Sequence, residues 1–147
     1  MSMRDAKRVP FGNMHFRLEI EGMREESAVE VIFPEARSTA GPRSSRVVQY
    51  GTLIVKRGVT RSAEWYEWWD RSRRSKTAVK RTVAVVLLDE RGTDVHRWTF
   101  DGAQPLGYLL SNLNALGDAP LIETLELTVA GFEASFDLPA ATPRKRK

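Results

Sequence analysis

The stretch TVAVVLLDERGTDVHRWTF, Thr82–Phe100, decides the architecture. Thr82–Leu88 is a run of β-branched and aliphatic residues, Asp89–Gly92 is charged and ends in glycine, and Asp94–Phe100 returns with His96, Trp98 and Phe100 on one face. Two such runs joined by a short charged turn read as a β-hairpin. None of its side chains is arranged for chemistry, so the clearest feature of the chain is scaffold.

The flanking segments read as follows. In MHFRLEIEG, Met14, Phe16, Leu18 and Ile20 alternate with His15, Arg17, Glu19 and Glu21, the period of a half-buried strand, and Gly22 ends it. SAVEVIF gives a second short strand, stopped by Pro34. PEARSTAGPRSSR, rich in Pro, Gly, Ser and Thr and carrying Arg37, Arg43 and Arg46, reads as a mobile loop. YGTLIVKRG, Tyr50–Gly58, is a third strand with Leu53 and Val55 on one face.

The period then changes. Over residues 60–76, Trp65, Trp68, Trp69 and Ser72 fall on one face of a helix that Thr60 or Ser62 can cap. Glu64 and Glu67 lie towards its start and Arg71, Arg73, Arg74 and Lys76 at its end, as the helix dipole favours. Bulky aromatics on one helix face act as the plug of a small barrel, which makes Trp65 and Trp68 core residues and leaves Tyr66 and Trp69 partly at an interface. Further on, LGYLLSNLNALG fits either a strand with a loop or a short helix. LIETLELTVAGFEASF reads as one long final strand, Ile122, Thr124, Glu126 and Thr128 on one face and Glu123, Leu125, Leu127 and Val129 on the other. The expected fold is mainly β, a β-barrel or sandwich of about six or seven strands with one flanking α-helix inserted after the third strand. It occupies one domain, residues 1–139, followed by a disordered basic tail, residues 140–147, ending in RKRK.

The 147 residues suffice for one sizeable core. There is no cysteine, which excludes disulfides, thiolate nucleophiles and thiolate metal sites. No apolar run of secretory length stands near the start and none approaches the ~18–20 residues of a membrane span, so the expectation is a soluble protein made in the cytoplasm. The net charge of +4 is unevenly spread: residues 37–81 carry 12 basic and 3 acidic groups, whereas residues 82–143 carry 2 basic and 9 acidic. Such a bipolar body suits pairing with a partner, including another copy of itself.

No catalytic, cofactor-binding or metal site emerges. His15 and His96 lie in different strands without a third ligand, and the spacing of a zinc protease is missing. Asp89, Glu90 and Asp94 surround a turn, where charge is expected on solvation grounds. Dinucleotide, P-loop and nucleophile-elbow patterns are absent, so no enzyme is expected. The sequence WYEWW beside a run of arginines raises base stacking, but its helical spacing favours packing.

On these residues the chain resembles a known family. VAVVLLDERGTDVHRWTF is similar to the central strand pair of the contractile phage tail-tube proteins, a family shared with extracellular contractile injection particles. YGTLIVKRGVT resembles that family's strand, Lys-Arg-Gly and Thr before a helix, here AEWYEWW, and IETLELTVAGFE resembles its terminal strand. The stretches occur in the family's order and span Tyr50–Glu133, with a weaker match over Phe11–Gly22. The resemblance implies a structural subunit of the inner tube of a contractile phage tail or injection system. It implies hexameric rings stacked around a channel, with sheath and baseplate proteins as partners, DNA or a protein effector as lumen cargo, and no membrane. Such a subunit is cytoplasmic during assembly and part of a virion or injection particle afterwards. Two alternatives stand beside it: a tube initiator or baseplate adaptor of the same family, and a monomeric nucleic-acid-binding β-barrel using the basic segment and the tail. In a tube, the PEARSTAGPRSSR loop of one ring is expected on the acidic rim of the next, with Arg43 and Arg46 meeting Asp89, Glu90 or Asp118.

Overall fold

The computed structural model describes residues 9–24, 28–77 and 79–136. The basic tail at 140–147 and both ends of the 1–139 domain lie outside them. The elements are β1 (Phe16–Ile20), β2 (Glu30–Ile32), β3 (Ala36–Ala40), β4 (Arg46–Tyr50), β5 (Leu53–Gly58), α1 (Glu64–Arg74), β6 (Arg81–Leu88), β7 (Asp94–Leu110), β8 (Ile122–Thr128) and β9 (Gly131–Ser135).

The hairpin of β6 and β7 is present, with Val83 opposite Phe100 and Val85 opposite Trp98. Its turn is built by Asp89, whose Oδ1 accepts the Arg91 and Thr93 N–H groups, each at 2.9 Å. Gly92 closes the turn at φ 80°, the left-handed region that glycine enters without a side-chain penalty.

The return strand does not stop at Phe100. β7 runs for 17 residues and serves two sheet segments: Arg97–Asp101 pair with β9, and Gln104–Leu110 pair with β8. The corner lies between them at Gly102, φ 60°, where a Cβ would sit 2.9 Å from the Ala130 Cβ. Glycine is required there twice over, for its backbone angle and for space.

The seven-stranded antiparallel sheet follows the path β1-β6-β7-β8-β5-β2, with β9 added on β7. Its end strands β1 and β2 do not pair with each other, so the barrel stays open and the fold is sandwich-like. Between the two halves lies the core: Leu18 and Ile20 from β1, Leu53 and Val55 from β5, Val83 and Val85 from β6, Phe100 and Ala103 from β7, and Leu125 and Leu127 from β8. Trp65 and Trp68 of α1 complete it at 3% and 1% exposure. Trp68 Nε1 donates to the Val79 carbonyl at 2.9 Å, so burying the indole leaves no orphan donor.

Three expectations are corrected. PEARSTAGPRSSR is a paired hairpin, β3 with β4, joined by a 3-10 turn over Pro42–Ser44. With both faces exposed it carries no apolar alternation to read. α1 therefore follows the fifth strand, not the third, and its cap position falls on Ala63; Ser62 Oγ accepts the Glu64 N–H at 3.4 Å. The long final strand is two, because the chain breaks at Val129–Ala130 to follow the corner of β7.

Candidate functional site

The surfaces open to a partner are set by how the charges are spent. Arg57 and Glu123 face each other across β5 and β8 at 2% and 3% exposure, with Arg57 Nε donating to Glu123 Oε1. Tyr108 Oη of β7 donates to Glu123 Oε2 at 2.5 Å, and Arg57 Nη2 donates to the Ser62 carbonyl at 3.4 Å. The guanidinium also lies 4.4 Å from the centre of the Trp65 ring. Desolvation, and then the bond to Glu123, push the Tyr108 phenol above its ordinary value, so it remains a donor. This cluster ties three strands to the start of α1.

A second network covers the outer face of β1, β6 and β7. Arg17 grips Asp94 with two bonds of 3.0 and 2.8 Å and reaches Glu19 at 2.9 Å, while Arg97 bonds Glu19 at 2.9 Å. Val86, between Arg17 and Arg97 in the register, is fully buried beneath them. Burial alone would raise Glu19, but the bonds from Arg97 and Arg17 outweigh it and hold the carboxyl below the usual 4.5. Asp94, expected as a solvated turn residue, is thus part of a lattice between strands.

The basic middle segment is therefore not one basic surface. Arg57 is internal, Lys56 pairs with Glu30, Arg37 with Glu35, and Arg73 and Arg74 with Asp70. The Arg74 bond, then that of Arg73, hold Asp70 below the ordinary aspartate value.

Two exposed features project from this body. The β3–β4 arm is clamped at its base by the Gly51 N–H donating to the Glu35 carbonyl at 2.7 Å. Its tip holds Arg43 and Ser44 at φ 57° and 62°, conformations uncommon outside glycine. Arg43 and Arg46 are both exposed there. Among the described residues the arm pairs with no other strand, and a two-stranded ribbon by itself is marginal in water. The other feature is the loop after β7, where Leu113 and Leu116 are 84% and 98% exposed.

Of the expected site residues, Trp65 and Trp68 are core. Asp89 is engaged in its own turn and Glu90 beside it is exposed, whereas Asp118 lies in the loop at the far end of β7. The fold does not bring these carboxylates together, so a single arm can reach one end or the other. Arg57 and Glu123 were missed; the legible signal was an acid on the same strand face as Leu125 and Leu127.

The family model for the T4-like virus tail tube protein gp19 matches residues 12–133. The chain belongs to that family. Tail tube proteins are structural, not enzymes. No curated protein sequence matches the chain. Among solved structures, this tail tube chain is similar to one in the 6-fold symmetrised baseplate of the anti-feeding prophage (AFP), with 21% identity over 87% of this chain and 97% of that one and a TM-score of 0.65. It is similar to a chain of the sheath-tube complex of an extracellular contractile injection system, PVC, at 14% identity over 92% and 99%, TM-score 0.70. It is also similar to Hcp1 of Flavobacterium johnsoniae, at 16% identity over 84% and 99%, TM-score 0.64. These likenesses show the fold of the tail tube chain. Among its described residues no group of three or more side chains could hold a metal ion, and no helix is long and apolar enough to cross a membrane.

Proposed function

We propose that this chain is the repeated subunit of the inner tube of a contractile phage tail or phage-tail-like injection system, forming hexameric rings that stack around a channel. The family match over residues 12–133 carries the reading, and the β3–β4 arm agrees with it, since among the described residues it is a separate two-stranded ribbon, a structure that is marginal in water by itself. The chains with this fold in an AFP baseplate and a PVC sheath-tube complex support the same surroundings: sheath outside, baseplate at one end. Contacts between copies that close give a ring, and contacts that do not close give a filament; a tube uses both kinds. In the stacking contact, Arg43 and Arg46 of the arm rest on an acidic end of the next ring, Asp89 and Glu90 at the hairpin turn or Asp118 in the far loop.

Native mass spectrometry of the purified chain tests the ring. Six copies per particle is the expected result, and a monomer at every concentration contradicts it. The lumen carries DNA or a protein effector; neighbouring genes for a capsid and packaging machine, or their absence beside a sheath and baseplate, separate the two.

A further inference from the structure

The open barrel leaves a seam. Residues of both end strands, Phe16 of β1 and Val31 of β2, line a groove of about 660 Å³ with Phe11, Phe33, Val85 and Trp98. That is the size of a cleft able to bury a ligand or a small group of side chains, ~300–1,000 Å³. Its rim is apolar and wet: Val29 is 57% exposed, Phe11 51% and Phe33 44%. Among the described residues nothing covers this seam between two edge strands, a kind of surface that proteins ordinarily cover.

A second exposed apolar feature follows β7. From β7 the groove takes Trp98, ahead of the corner at Gly102, while Leu113 and Leu116 follow the last residue of the strand, beyond that corner. The two leucines are held outward by an ordered turn: Asn114 Oδ1 accepts the Leu116 N–H and its carbonyl accepts the Gly117 N–H, both at 3.0 Å. Leu106 and Leu110 of β7 are exposed as well, at 56% and 54%. A pre-ordered apolar loop loses little freedom on docking. The charges also match. Asp118 is exposed on the leucine loop, and exposed Arg91 lines the depression adjoining the groove, which shares Phe11 and Gly12 with it.

We propose that Leu113 and Leu116 of one copy seat in the seam between β1 and β2 of the next, with Asp118 meeting Arg91, and that this contact closes the ring. It joins different surfaces of identical chains, the arrangement that generates a ring when the rotation closes. It rests on the tube-subunit reading. It assigns the leucine loop to the ring and leaves the arm for stacking.

Complementary variants of the full chain test it. Leu113→Asp with Leu116→Asp spoils the loop but keeps the groove; Val29→Asp with Phe11→Asp spoils the groove but keeps the loop. Circular dichroism and melting first establish that both fold like the parent. The expected sedimentation result is monomer for each alone and a dimer for their equimolar mixture, because one intact loop then meets one intact groove. As a milder probe, Asp118→Arg weakens rings and the added Arg91→Asp restores them. A parent that never assembles removes the tube reading itself. A parent that forms rings while both variants also form them, or a mixture that gives no dimer, overturns the loop-in-seam contact. Binding of an apolar dye that is lost in the groove variant while its rings persist overturns it too, and marks the groove as a small-molecule site.

Discussion

Arg57 and Glu123, 66 residues apart in sequence, form an ion pair in the interior of the sheet, with the Tyr108 hydroxyl closing the second carboxylate oxygen at 2.5 Å. Removing one charge strands the other in a medium that cannot solvate it. Arg57→Met or Glu123→Leu alone should therefore cost about 3–5 kcal/mol, whereas the double variant, which strands neither, should recover most of that loss. Chemical denaturation of the three variants measures it, and additive losses would contradict the coupling.

The helix gives a second prediction. Trp65 fills the core and lies under the Arg57 guanidinium, so Trp65→Ala opens a cavity and removes a cation–π partner at once. The expected cost is ~3–5 kcal/mol, enough to endanger a domain of ordinary stability. A thermal melt equal to the parent's would mean that the indole packs against nothing.

Much of this was legible in the sequence, and what was not has physical reasons. The β6–β7 hairpin and α1 could be read because their signals are local: a turn at Asp89–Gly92 and three tryptophans at helical spacing. The β3–β4 arm could not, since strands exposed on both faces have no apolar period. The break between β8 and β9 was hidden because Val129 continues the alternation of Leu125 and Leu127; what breaks the strand is the corner of β7 at Gly102, a tertiary constraint. Arg57 and Glu123 each stood visibly on an apolar strand face, but only the pairing of β5 with β8 shows that they meet. Among the stacking candidates, exposed Arg43, Glu90 and Asp118 show only that they lie on the surface, which composition had already indicated.

A third prediction concerns acid. Glu19 titrates below its ordinary value in the folded protein, held by Arg97 and Arg17 against the opposing effect of burial. A carboxyl depressed on folding stabilises at pH above its unfolded value and loses that contribution as pH falls through the folded one. The parent should therefore lose stability as pH drops below about 4.5, and Glu19→Gln should be less stable at pH 7 with a shallower acid limb. Urea midpoints between pH 3 and 7 check it; parallel curves for the two proteins would show that Glu19 is not depressed.

The arm supplies the fourth. Exposed ion pairs contribute only ~0.2–1 kcal/mol each, but repetition around a ring multiplies them. Arg43→Glu with Arg46→Glu should leave rings intact and shorten tubes, and raising salt should shorten parental tubes in the same way. Tube lengths from micrographs across a salt series decide this. Unchanged lengths in the double variant at every concentration would remove the arm from the stacking contact.

The central claim is that this chain builds a tube from identical rings, and negative-stain electron microscopy of the purified full chain tests it most directly. The account predicts particles with a central channel and six-fold end views, single or stacked. A monodisperse monomer whose affinity for nucleic acid falls steeply with salt would contradict it.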